Sequence, residues 1–223
     1  MSPPIATDSG IFFSVFKSTD TGDSITLYRY DNNLNVVKNR SYTGSVAPQS
    51  SFLASTDTFV LFGLRDPDNY KTKVISINHD LDTENWTETL DDYIINLPVI
   101  DKNSNIIISC EDGYIYKLDS ADGSEIWNSN IGTIYVRGEL IIGKNQNIYK
   151  TGQLPTEINM TSGTESSSLS DKVAGSDGAM LSDGTLVYVS NNKFVRVSTT
   201  SGGLCPDAKW AKYGKDAANS SLY

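Results

Sequence analysis

A chain of 223 residues carrying 18 basic and 27 acidic side chains, for a formal net charge of −9, is long enough to bury a sizeable core. It has no clustered basic stripe, which excludes nucleic acid as a partner, because neutralising phosphates needs grouped Lys and Arg. No stretch of roughly 18 consecutive apolar residues occurs, so no inserted membrane helix is expected, and the start, MSPPIATDSGIFF, lacks the basic-then-apolar order of a signal peptide.

Taken in chain order, the predicted elements repeat. Pro4 to Asp31 reads as a short apolar strand, a polar turn, a β-branched strand, a long turn from Lys17 to Ser24 and a third strand. Phe52 to Trp86 follows the same order, with its long turn at Arg65 to Thr72. Pro98 to Trp127 is the clearest copy: Tyr114 to Asp119 is its third strand, Ala121-Asp122-Gly123 a tight turn, and Glu125 to Asn128 the start of a fourth. Tyr135 to Gly152 is a weaker copy, in which Ile148-Tyr149-Lys150 matches Ile115-Tyr116-Lys117. Ala179 to Gly202 is the last, and Thr161 to Lys172 reads as an outer strand or loop.

The residues closing each first strand, Asp8, Asp57, Asp101, Glu139 and Asp183, recur at intervals of about 45, the period of four-stranded propeller blades. Phe59 to Leu64, Ile106 to Cys110 and Leu186 to Val189 are continuous apolar runs, expected to be buried on both faces. No segment carries a helical apolar stripe over three turns. The expected fold is all-β: a single β-propeller domain of four-stranded antiparallel blades, five in number, at approximately 3–44, 45–94, 95–131, 132–174 and 175–223. Trp86 and Trp127, at matching offsets in their copies, are expected to fill the wedge between neighbouring blades.

The stretch GYIYKLDSADGSEIW resembles the repeat of pyrroloquinoline-quinone-type, or quinoprotein-like, β-propellers at Gly113, Tyr116, Leu118, Asp119, Gly123 and Trp127. The tail is similar to a segment that borders such propellers, at Trp210, Tyr213, Gly214, Asp216 and Asn219. The resemblance implies a ring usually of seven or eight blades, where this chain offers five. In that family the quinone is held by a disulfide of adjacent cysteines, a stacking tryptophan and a bound calcium. Here no two cysteines are adjacent and no catalytic Asp matches a motif, so no cofactor and no dehydrogenase activity are expected.

Other candidate chemistry is thin. Cys110 continues an alternating strand and is expected to be a buried free thiol, with a Cys110–Cys205 bridge as the lesser alternative. His79, the only histidine, is expected to sit exposed in a turn beside Asp80. The acidic groups Asp20 with Asp23, Asp66 with Asp68, and Asp80, Asp82 with Glu84 each fall short of a calcium loop, so no metal is expected. Sequons at Asn39, Asn85, Asn159 and Asn219 arise from the polar composition.

In a four-stranded blade the turns between the second and third strands open on one face of the ring. The two longest, in the first two blades, would place Asp20, Asp23, Asp66, Asp68, Asn69 and Tyr70 together as a partner-binding wall. The expected function is accordingly non-enzymatic: a binding or structural module that engages another protein or a surface glycan. It would act extracytoplasmically, in the periplasm, on a cell surface or on a virus particle. Two alternatives are a periplasmic scaffold similar to the propeller lipoprotein of the outer-membrane barrel-assembly machinery, and a small five-bladed lectin. For closure, an N-terminal segment could complete the last sheet, or the Trp210 segment could pack against the first blade. The second is favoured, and truncation after Gly203 is expected to lower stability.

Overall fold

The computed structural model describes residues 4–20, 22–44, 46, 52–94, 97–132, 139–151, 155–169, 178–190 and 192–208. The tail match from Trp210 to Asn219, and with it the favoured closure, lies outside the described residues, as do Tyr135 and Ser170 to Lys172.

Among the described residues, five antiparallel sheets follow one another along the chain and no helix occurs. Sheet 1 holds β1 (Ile5–Thr7), β2 (Gly10–Thr19), β3 (Gly22–Tyr30) and β4 (Val36–Thr43). Sheet 2 holds β5 (Leu53–Ser55), β6 (Phe59–Asp66), β7 (Lys71–Asn78) and β8 (Glu84–Leu90). Sheet 3 holds β9 (Val99–Ile100), β10 (Ile106–Ser109), β11 (Tyr114–Leu118) and β12 (Glu125–Asn130). Sheet 4 holds β13 (Leu140–Ile142), β14 (Ile148–Lys150), β15 (Thr156–Ile158) and β16 (Glu165–Ser168). Sheet 5 holds β17 (Ala179–Met180), β18 (Thr185–Ser190) and β19 (Lys193–Ser198). In every sheet the strands lie in sequence order, each hydrogen-bonded to the next. The chain divides into two compact units, Met1–Ile94 with the turn Ala121–Ser124, and Ile95–Ser120 with Glu125–Ser220.

The turns explain why these residues form these hairpins. In seven of them one residue takes a left-handed φ: Leu34, Leu81, Gly123 and Gly163 between third and fourth strands, and Ser104, Gln146 and Gly184 between first and second. The Asp or Asn that opens the turn caps the backbone N–H groups it leaves over. Asp31 accepts from Asn33 and Asn35, Asp101 from Asn103 and Asn105, and Asn159 from Thr161 and Ser162. A bulge then interrupts the ladder between third and fourth strands at the same place in sheets 1 to 4, beside Arg29, Ser76, Lys117 and Glu157.

Past that bulge stand Trp86 and Trp127, paired with Ser76 and Lys117. Each covers the turn glycine of the following sheet. A Cβ on Gly123 would come within 2.6 Å of Trp86 Cε3, and one on Gly163 within 2.6 Å of Trp127 Cε3. Trp127 also donates its indole N–H to the Met160 carbonyl at 3.1 Å. Sheet 1 has Lys38 at the matching ladder position, and the turn it faces carries Leu81 rather than glycine. There the docking is polar: Lys38 pairs with Asp82, and Arg40 donates to the Asp82 carbonyl at 3.0 Å and to Glu84 at 2.7 Å.

Strand parity builds the core of the second unit. Leu140, Ile142 and Ile148 join Val99, Ile107 and Ile115 in one cluster, while Ile141 and Tyr149 turn the other way to meet Met180, Leu186 and Tyr188. Both faces of sheet 4 are covered at its first strand, so β13 is apolar throughout. The continuous runs Phe59–Leu64 and Ile106–Cys110 are fully buried as expected, but in Leu186–Val189 the side chains of Val187 and Val189 are only half-buried. Those two face away from the cluster that buries Leu186 and Tyr188.

After β19 the chain returns to the free edge of sheet 4. Leu204 bridges Gly143, the Cys205 N–H donates to the Ile142 carbonyl at 2.9 Å, and the Lys144 N–H donates to the Gly203 carbonyl at 2.8 Å. Cys110 and Cys205 are both buried thiols, and neither is in a disulfide. Cys205 lies in the cluster of sheets 3 and 4, its sulfur accepting from Gln146 Nε2 at 2.9 Å.

Candidate interaction surface on the hairpins of the first unit

The two long connections expected from the sequence are shorter than the alternation suggested. β2 and β3 pair through Lys17↔Ser24, Ser18↔Asp23 and Thr19↔Gly22, and β6 and β7 pair through Arg65↔Thr72 and Asp66↔Lys71. Polar side chains on a hairpin that projects into solvent still satisfy the ladder, so hydropathy alone stops each strand too early. Asp20 is exposed at the first tip, and Asp23 accepts a hydrogen bond from the Ser18 hydroxyl at 2.6 Å.

The tip of sheet 2 is more elaborate. Asp66 is half-buried and organises the turn, accepting from the backbone of Asp68 at 3.1 Å and of Asn69 at 3.2 Å, and from Asn69 Nδ2 at 2.9 Å. Tyr70 takes a left-handed φ of 55° and is 68% exposed. A bulky residue in that region stores backbone strain that the surroundings must hold in place. Tyr93, buried just beyond β8, holds it here. Its ring lies 5.6 Å from Tyr70, its hydroxyl donates to the Pro67 carbonyl at 3.4 Å, and the Arg65 guanidinium stacks 3.3 Å from its centroid. Lys71 pairs with Asp91 at 2.8 Å, and that hydrogen bond raises the ammonium above its ordinary range.

The six residues of the expected wall therefore play different parts. Asp66 and Asn69 hold the turn, Asp23 is tied to Ser18, and Asp20, Asp68 and Tyr70 face solvent. Arg65 and Tyr93 were missed because their roles depend on a contact that hydropathy does not encode. The surface combines an aromatic ring, a stacked cation and carboxylates, a composition suited to recognition.

His79 is not the exposed turn residue expected. It is half-buried, with Nδ1 2.8 Å from Ser9 Oγ and Nε2 3.2 Å from Ser55 Oγ, and its ring lies 5.6 Å from Phe12. The Ser55 hydroxyl also lies against the carbonyls of Thr56 and Phe59. If it donates to one of them, it accepts from Nε2–H, which leaves Nδ1 to accept from Ser9. Burial lowers the imidazole pKa. Among the described residues no group of three or more His, Cys, Asp or Glu side chains is placed to hold a metal ion.

No family model matches the sequence, and no curated protein matches it. Solved structures do. BamB from Moraxella catarrhalis superposes with a TM-score of 0.66 at 11% identity, over 90% of this chain and 62% of that one. The C-terminal WD40 domain of Sif2 superposes with a TM-score of 0.60 at 10% identity, over 88% of this chain and 56% of that one. The chain thus spans less than two thirds of either neighbour. With an all-β chain of successive four-stranded antiparallel sheets, these likenesses establish the β-propeller fold.

Proposed function

We propose that this propeller is a non-catalytic interaction module that binds another protein through the sheet 2 hairpin, with Tyr70 as the anchor and Asp68 beside it. Its setting in this reading is extracytoplasmic or on a particle surface. The observation that carries the reading is Tyr70 itself, a large side chain held out at 68% exposure on a strained backbone and backed by Tyr93 and Arg65. Aromatic residues presented on a rigid support lose little conformational freedom on binding, which is why they dominate interface energetics. The placement of His79 between Ser9 and Ser55 supports a structural use of the only imidazole.

The test is cross-linking with mass spectrometry in the native source, comparing the natural chain with Tyr70→Ala and Asp68→Ala. Partner cross-links at Lys71 and Lys73 should be lost in both variants while the melting temperature holds. Cross-links unchanged by either variant would overturn the reading. A glycan array on the same proteins separates a sugar ligand from a protein one.

A further inference from the structure

Sheet 5 has three strands among the described residues where every other sheet has four, and β19 ends its hydrogen-bonded order. Phe194 on that edge strand is 82% exposed, with half-buried Val187 and Val189 on the strand beside it. Val189 pairs with Phe194 and Val187 with Arg196, so these four share the face turned away from the sheet 4 cluster.

The hairpin of β18 and β19 closes with Ser190↔Lys193 over a two-residue turn. In an antiparallel ladder begun that way, alternate residues point their N–H and C=O groups inward and outward. Lys193, Val195 and Val197 address β18, which leaves the backbone groups of Phe194, Arg196 and Ser198 directed to the outer edge. A strand added there must offer outward groups at the same parity, and β19 of another molecule does so.

Every two-fold self-pairing centred on a residue of β19 keeps that parity, and those centred towards either end pair few residues. Centring on Arg196 sets two guanidinium groups opposite each other, and centring on Phe194 brings fewer residues into the ladder. Centring on Val195 sets Phe194 opposite Arg196 of the second copy, twice by symmetry, and Lys193 opposite Val197. Basic side chains commonly keep an edge strand from pairing. In this register each lies opposite an apolar or aromatic residue, and Arg196 over Phe194 forms a favourable cation–aromatic cross-strand pair.

We propose that β19 pairs antiparallel with β19 of a second copy about a two-fold axis at Val195, making the chain a homodimer.

Sedimentation equilibrium on the full chain, from about 1 to 100 µM, tests this. A dimer is expected. Arg196→Pro deletes an outward N–H that serves no bond to β18, so the fold should survive. Two inter-copy hydrogen bonds disappear, raising the dissociation constant roughly 30-fold. Phe194→Ala leaves the backbone intact and should weaken the dimer several-fold. Val195→Cys, at the symmetry axis, should give a disulfide-linked dimer under oxidised glutathione. A monomer throughout the range, or a dimer indifferent to Arg196→Pro that yields no Val195→Cys cross-link, overturns the proposal. So does a monomer whose Phe194 and Arg196 amides resist hydrogen exchange, which would put a strand of the same chain on this edge.

Discussion

The indole of Trp127 lies against Gly163, so closely that a Cβ on that glycine would come within 2.6 Å of Trp127 Cε3. The relationship joins the fourth strand of sheet 3 to the third-to-fourth-strand turn of sheet 4, and Trp86 with Gly123 repeats it. Only a residue without a side chain admits the ring, and only a left-handed φ, +71° at Gly163, makes the turn.

Gly163→Ala should therefore cost about 2–4 kcal/mol, from backbone strain of roughly 1 kcal/mol and displacement of the indole. Gly132→Ala is the control. Its φ is +87° with nothing within 4 Å of the added Cβ, so it should show the strain alone. Urea unfolding of both variants isolates the tryptophan contact as their difference.

Two buried lysines make opposite predictions. Lys117 on β11 is buried with its Nζ 3.1 Å from Asp101 Oδ2, and Asp101 opens the β9–β10 turn. Lys150 is buried as well, but on β14, the second strand of its sheet and not the third as its sequence match to Lys117 suggested, and there the residue opening the β13–β14 turn is Gly143. A Cβ there would come within 2.3 Å of Ser201 Oγ, because the returning segment occupies the space. Breaking the Lys117 pair with Asp101→Ala should cost about 3–5 kcal/mol. Lys150→Met should stabilise.

Burial lowers the Lys150 pKa to about 8 from 10.5. Between those values the unfolded chain binds more protons than the folded one, so stability should rise with pH from about 8 to about 10.5. The slope should be smaller in Lys150→Met. Equal slopes in pH-dependent urea titrations would refute this account.

His79 predicts a loss on the acid side. Its folded pKa lies below 6.5, because burial disfavours the imidazolium. The contribution is complete above the unfolded value and declines as pH falls below about 6.5 towards the folded value. His79→Gln should melt less steeply with acidification than the natural chain, as thermal scans between about pH 7.5 and 5 would show.

Loss of the returning segment should lower stability. A chain ending at Ala208 keeps the Leu204–Gly143 bridge and the Cys205 contacts, and a chain ending at Gly203 loses them. The second should be less stable than the first by about 2–4 kcal/mol, from lost apolar burial and backbone hydrogen bonds. Equal unfolding midpoints would contradict the role assigned to Leu204 and Cys205.

The sequence alone determined the all-β repeat of four-stranded sheets, the tight turn at Ala121-Asp122-Gly123, and the equivalence of Trp86 and Trp127. Alternation, turn chemistry and period are properties of neighbouring residues, so they survive in one dimension. Hairpin length was less legible, since Ser18 and Arg65 continue strands whose polar side chains resemble a loop. Only the tertiary structure decided that His79 is held between Ser9 and Ser55, that Tyr93 braces Tyr70, and that Ser201 stands where sheet 3 has a carboxylate. Each of those outcomes depends on a partner far along the chain, and residue type does not reveal which remote group will fill the space beside it.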